Sequence, residues 1–220
     1  MNDERGIVLF GDVVGSRRDP TTAAEWLRDF THRLTELYGD DALAPFGFTQ
    51  GDELQGLLRT GADPLRAVLL GALDDEAPKL RWVIVAGPIA AGMGPAPERS
   101  GPAFLAAREA IERLRRQRER LLMITGDDRA DVLLDDLAPV LGELLDELTI
   151  RQRTVVRLAV VDQLRQSEVA QRLNVSRATI SVAFERGRVR SIAALVHAIG
   201  LIFRDGVARS DAAAADEAGE

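Results

Sequence analysis

The 220-residue chain contains no cysteine, which excludes disulfides, thiolate zinc sites and a thiol nucleophile together. It has only two histidines, His32 and His197. They are too far apart in sequence to seed a histidine-based metal cluster, so any metal is expected to rest on carboxylates. No window reaches about 18 uncharged apolar residues, and the start, MNDERGIVLF, begins with acids. Neither a spanning helix nor a secretory signal is expected, and the chain reads as cytoplasmic, without a membrane partner. Hydrophobic residues make up 46% and charged residues 29%, which suits a packed core rather than wholesale disorder. The length allows one large domain or two small ones and excludes a repeat array.

Charge is divided along the chain. Residues 1–149 carry a net charge of -10, residues 150–204 carry +7 from ten arginines against Asp162, Glu168 and Glu185, and the remainder carries -4. A basic segment inside an acidic protein is the electrostatic footprint of a polyanion partner, although charge alone also fits a solvated basic face. The last residues, SDAAAADEAGE, are small and acidic, and the tail 205–220 reads as disordered.

The coarse pattern alternates strands and helices and then turns helical. Gly6–Val14 is a short apolar run suited to a central strand buried on both faces. After Pro20, the residues Trp26, Phe30, Leu34 and Leu37 recur at helical spacing up to Gly39. Phe46–Thr49 and Glu53–Leu58 flank Gln50-Gly51-Asp52 as a hairpin with an acidic tip. Pro64–Leu73 reads as a helix, Leu80–Ala86 as a strand, Ile89–Met93 as a further short strand, Pro102–Arg120 as a helix and Leu121–Thr125 as a last strand. The divisions expected are a mixed α/β (α+β) part over 1–126, one or two connecting helices over 127–149, and an all-α part over 150–204.

Two acids sit where apolar strands end. Asp12 lies in Gly11-Asp12-Val13-Val14-Gly15-Ser16-Arg17, and Asp52 with Glu53 lies at the hairpin tip. If those strands are neighbours, their carboxylates converge on oxygen ligands of the kind that hold Mg²⁺ together with a substrate phosphate. Turn chemistry alone also favours aspartate at both places.

Four segments follow one another in order: Asp12-Val13-Val14-Gly15-Ser16, Thr49-Gln50-Gly51-Asp52-Glu53-Leu54, Leu80–Ile89, and Gly101-Pro102-Ala103-Phe104-Leu105-Ala106-Ala107-Arg108. Over about residues 5–125 they resemble the palm-type catalytic domain of class III nucleotidyl cyclases, which is related to GGDEF diguanylate cyclases, and more closely the SatD family of small bacterial proteins. The resemblance implies a palm-like fold, with Asp12 and Asp52, beside Glu53, as metal ligands. It places Gly15, Ser16 and Arg17 in a phosphate-facing loop, and Arg108 as the arginine that steadies charge during phosphoryl transfer. The chain departs from the cyclases at two places. Their base-selecting lysine is Phe48 here and their asparagine before the arginine is Phe104, so the expected nucleotide contacts include two rings. Both phenylalanines also suit a core. What the resemblance implies is nucleotide binding without turnover, the ligand unidentified, with a Mg²⁺-dependent cyclase or other phosphoryl transferase as the alternative.

The basic segment carries a compact two-helix pattern. Gln166 and Ser167 open a first helix with Ser167 as its cap. Ala170 is small where two helices approach, Leu173 and Val175 plug the corner, and Asn174 suits the left-handed turn. Ser176 caps a second helix whose Ile180 and Phe184 point inward. This is a helix-turn-helix arrangement resembling sigma-factor region 4 and related bacterial regulators, and it makes double-stranded DNA the expected partner. Arg177, Thr179 and Ser181 are left on or near the exposed face. Arg177 is the candidate for a guanine edge, and Arg186, Arg188 and Arg190 for phosphates. Ala193–Phe203 is apolar and is expected to pack on the body or to join two copies as a homodimer, with His197 buried. The whole reads as a DNA-binding transcriptional regulator with a nucleotide-sensing part.

Overall fold

The computed structural model describes residues 4–15, 20–49 and 52–219. Its strands are β1 (Arg5–Val13), β2 (Ala42–Phe48), β3 (Glu53–Leu58), β4 (Leu80–Pro88) and β5 (Leu121–Ile124). Four helices accompany them: α1 (Pro20–Tyr38), α2 (Leu65–Ala72), α3 (Pro102–Gln117) and α4 (Asp128–Asp146). The C-terminal part is helical throughout, with α5 (Ile150–Val156), a π-turn over Arg157–Val161, α6 (Gln166–Arg172), α7 (Arg177–Arg186) and α8 (Val189–Gly219). A mixed five-stranded sheet with helices, followed by a helical region, is the fold class expected from the sequence.

The sheet order is β2-β3-β1-β4-β5, with β1 antiparallel to β3 and β4 and with β4 parallel to β5. The apolar run of β1 has both faces covered, which explains its lack of alternation. Ile7 and Leu9 face the core shared with α1 and α2, whereas Val8 and Phe10 face α3 through Phe104, Ala107 and Ile111. β4 alternates in the same way, Trp82 and Ile84 to one face and Val83 and Val85 to the other. Asp12 continues the Val8–Phe10 series and so lies on the α3 face.

Several expectations are corrected by the structure. Ile89–Met93 forms no strand; Ile89 instead donates its N–H to the Glu4 carbonyl at 2.8 Å. Of the one or two helices expected after β5, the structure has one, α4, which accommodates Pro139 in its interior. The tail is not disordered, because α8 runs on to Gly219. Alanine is the strongest helix former, and the tail offers a packing face: Val207 is buried, and Gly206 sits so close to Ala130 that a Cβ there would approach the alanine methyl to 2.5 Å. Arg5 at the start of β1 grips Asp211 at 2.5 Å and the Ser210 hydroxyl at 2.8 Å.

By length and composition alone, Val189–Asp216 of α8 is long and apolar enough to cross a membrane, where no spanning helix was expected. Its apolarity has a local use, since Ile192, Ile199, Phe203 and Val207 are buried in one core cluster that runs from the sheet through Leu134, Leu145 and Val156 to Ile180. His197 lies on the exposed side of the same helix, not in the core.

α4 and α8 run side by side in opposite directions. Arg209 pairs with Asp127 at one end at 2.9 Å, and Arg188 pairs with Glu147 at the other at 3.3 Å. The hydrogen bond from Arg209 lowers the Asp127 carboxyl to about 2. The C-terminal end of α4 is tied to the sheet by Asp146, which meets Lys79 and Arg120. Burial would raise the Asp146 carboxyl, but the Lys79 hydrogen bond and the Arg120 charge outweigh it and hold it low.

Candidate functional site

At the end of β1, Asp12 stands opposite Glu53 on β3 and Arg81 on β4 in the strand register. The Asp52 carbonyl accepts the Val13 N–H at 3.0 Å, so the hairpin is held beside Asp12 as expected. The Asp12 carboxylate is 3% exposed and both of its oxygens are taken. Arg81 Nη1 donates to Oδ2 at 2.9 Å, and Arg115 Nη2 on α3 donates to Oδ1 at 2.6 Å. Arg115 also pairs with Glu112, one turn earlier on α3. The hydrogen bond that Arg115 donates to Asp12 is the chief reason that its guanidinium holds its proton more firmly than usual. Glu53 accepts from the buried Gln55 amide at 2.7 Å.

This donor set does not fit Mg²⁺ at Asp12. A hard cation needs open carboxylate oxygens, and here two guanidinium groups already neutralise the one buried carboxylate. No group of three or more carboxylate or histidine side chains able to hold a metal occurs among the described residues.

The other residues expected at this site scatter. Gly15 is exposed and takes a φ of 76°, a turn conformation that favours glycine. Ser16 and Arg17 lie outside the described residues, as do Gln50 and Gly51. Phe104 is a core residue, 5% exposed, with its ring 6.2 Å from that of Phe10. Phe48 is half-buried and packs with the cluster on the α1 face, across the sheet from Phe104, so the two rings do not meet in one pocket. Arg108 is exposed on α3, seven residues before Arg115 and thus about 10 Å along the helix.

Arg81 and Arg115 were missed in the sequence. A signal for Arg115 was present, because it repeats Arg108 at a seven-residue spacing that returns to the same helix side. Arg81 carried none until the β1–β4 pairing was known.

The basic segment builds a second surface. α5 opens with a capping box in which Thr149 accepts from Gln152 N–H and the Gln152 side chain reaches back to Thr149. The Gln152 amide then donates to the Arg186 carbonyl at 3.0 Å, tying α5 to the end of α7. α6 starts at Gln166, but its first turn is closed by Glu168 accepting from Arg165 N–H at 2.7 Å, not by Ser167. Ala170 is buried where α6 meets α7, and Asn174 turns with a φ of 52°. Val175 does not plug the corner. It is 42% exposed, and its N–H donates to the Ala170 carbonyl at 3.0 Å. Ser176 caps α7 by accepting from Thr179 N–H at 3.1 Å, and the two hydroxyls lie 2.8 Å apart.

Ile180 is buried, which turns the opposite side of α7 outward. Ser167, Ser176, Arg177, Thr179 and Ser181 are all exposed, and Gln166 is half-buried. Arg172, Arg186 and Arg190 are exposed around them. Arg188 occupies the junction of α7 and α8 with a φ of 49°, and its guanidinium is committed to Glu147. It therefore serves the helix junction as well as the basic surface.

Among solved structures, a bacterial light-regulated adenylyl cyclase aligns with 54% of this chain and 74% of its own, at 14% identity and a TM-score of 0.40. A regulator of polyketide synthase expression from Bifidobacterium adolescentis aligns with 92% of this chain and 82% of its own, at 16% identity and a TM-score of 0.32. No curated protein matches the sequence. Residues 140–190 match the family model for Sigma-70, region 4. The C-terminal part of this chain, from within α4 to the start of α8, thus contains a sigma-70 region 4 domain of helix-turn-helix type.

Proposed function

We propose that the protein is a cytoplasmic DNA-binding transcriptional regulator that acts as a homodimer, and that its cyclase-like N-terminal part binds a nucleotide without turning it over. The observation that carries the DNA-binding half is the outward side of α7. It starts from a capped end at Ser176, presents Arg177, Thr179 and Ser181 to solvent, and is ringed by exposed arginines. A recognition helix needs this exposure for its N-terminal side chains to reach base edges.

Arg177→Ala is expected to weaken operator binding by about 5- to 150-fold, a loss of roughly 1–3 kcal/mol, and to relax base preference at one position. Arg190→Ala is expected to weaken all sequences alike and to reduce the salt slope of log K by about one. Footprinting at fixed salt checks the first, and a salt titration by fluorescence anisotropy checks the second. An Arg177→Ala protein with unchanged affinity and base preference would overturn this reading of α7.

The sensing half is supported by the resemblance of residues 5–125 to SatD proteins and class III cyclases, and by the two guanidinium groups that meet at Asp12. The lack of an open oxygen set at Asp12 favours binding over phosphoryl transfer. Incubation with each nucleoside triphosphate and Mg²⁺ is expected to yield no product above an Asp52→Asn control by chromatography, while native mass spectrometry retains a nucleotide. Product above that control would establish the enzyme alternative.

A further inference from the structure

Ile180 fixes which way α7 faces. It is buried, and Ala183 and Phe184 pack against the same core cluster, so the far side of the helix looks away from the chain. At about 100° per residue, Ala178 and Val182, two positions before and two after Ile180, each stand about 160° from it around the helix. They mark the centre line of the outward side. Both are exposed, Val182 by 50%, and neither belongs to a core cluster.

That centre line is apolar where an exposed helix side is ordinarily polar. A single exposed valine is common on protein surfaces, but the fold gains little from this one. Valine forms helix less readily than alanine, and the residue is left half in water. Polar groups beside the line are few. The Thr179 hydroxyl is engaged by Ser176 at 2.8 Å, which leaves Ser181 and Glu185 along one side. Glu185 is exposed, and a carboxylate there repels phosphate, which disfavours laying this strip along a nucleic-acid backbone.

The cations stand at the margins instead. Arg177 and Arg186 are nine positions apart, which turns them to opposite sides of α7, about 180° from each other. Both are exposed. Arginine on each flank and a methyl-bearing strip between them match the cross-section of a major groove, with a phosphate wall on either side and base edges on the floor. Among the groups on that floor the apolar one is the C5-methyl of thymine.

We propose that Val182 is a specificity-determining residue that packs its methyl groups on the C5-methyl of a thymine, with Ala178 one turn earlier against a neighbouring base pair. This deepens, and rests on, the DNA-binding reading above. Sequence preference then comes from the apolar centre of α7 as well as from Arg177. The Cβ atoms of Ala178 and Val182 are about 6 Å apart, less than two base steps of about 3.4 Å along a strand. Adjacent base pairs are therefore within reach of the two.

The test uses the full chain and the tightest duplex it selects from a random-sequence pool. Each thymine is replaced in turn by deoxyuridine, which keeps the base pairing and removes only the methyl group. Binding is read by fluorescence anisotropy at fixed salt. At one thymine or more, uracil is expected to weaken the wild type about fourfold, the effect of burying one such group. Val182→Ala is expected to bind the thymine duplex about fourfold more weakly or worse, and no longer to distinguish thymine from uracil at that position. Its circular dichroism spectrum and its affinity for an unrelated duplex should stay unchanged, because the arginines that hold phosphates are untouched. A wild type that holds its selected duplex equally well with uracil at every thymine would overturn this inference and leave the strip to a protein partner. A uracil penalty undiminished in Val182→Ala would also refute it, since another side chain would then hold the methyl. Failure to select any sequence over bulk duplex would instead overturn the DNA-binding reading itself.

Discussion

Asp12→Ala is expected to lower the stability of the protein by roughly 2–4 kcal/mol, because it leaves two guanidinium groups without the buried carboxylate between them. Arg81 is 17% exposed and cannot recover full hydration in place. Arg115 is 37% exposed and recovers part of it, which sets the expected loss below that of a fully buried pair. The measurement is the urea midpoint of Asp12→Ala, Arg115→Ala and the double variant, read as a thermodynamic cycle. A coupling of about 1 kcal/mol or more identifies Asp12 as the centre of an internal ion-pair cluster. A carboxylate kept for a metal predicts the opposite sign: without the metal, its removal would relieve repulsion from Glu53 and leave the protein as stable or more so. A stabilised Asp12→Ala protein would refute the structural role assigned here.

Truncation after Arg204 is the second large effect. A dispensable tail would leave stability unchanged. The structure instead predicts a loss of roughly 2–4 kcal/mol from the exposure of the Val207 contact and the opening of the neighbouring Phe203 packing. The two tethers that close the chain, Arg5 to Asp211 and Arg209 to Asp127, are lost with it. Against a typical stability of about 5–15 kcal/mol this is a substantial fraction, visible as an earlier thermal midpoint. Amide exchange adds a local check, since the N–H groups of β1 near Arg5 should lose protection first. A truncated chain with wild-type unfolding would return the last 16 residues to the status of an ornament.

The two effects mark where sequence was informative and where it was not. The central strand was legible because a run buried on both faces needs no alternation, and β1 is such a run. The turn of the helix-turn-helix was legible because its constraints are local: Asn174 must adopt a positive φ and Ser176 must cap, and both do. Asp12 was found for the same reason, as an acid at a strand end. Its partners were not, because Arg81 meets it only through the β1–β4 register and Arg115 only through the way α3 crosses the sheet. The tail was misread on composition. Four successive alanines and scattered acids look unable to bury anything, yet a buried Val207 and a Gly206 placed against Ala130 and Thr125 suffice to dock a helix already favoured by its alanines. Val175, an apolar residue at the corner, reads as a plug, whereas it is exposed and its backbone N–H is what closes the corner on the Ala170 carbonyl.

The grip of Arg5 on Asp211 closes a loop of 206 residues, and it carries a consequence for synthesis. While the ribosome is still making the second half, the inner side of α4 stands without its neighbour, because Ile199, Phe203 and Val207 have yet to emerge. Contacts so distant in sequence form late and slowly. A nascent chain stalled before α8 is therefore a client for chaperones, and expression of the first 126 residues alone should give aggregates that co-production of the remainder dissolves.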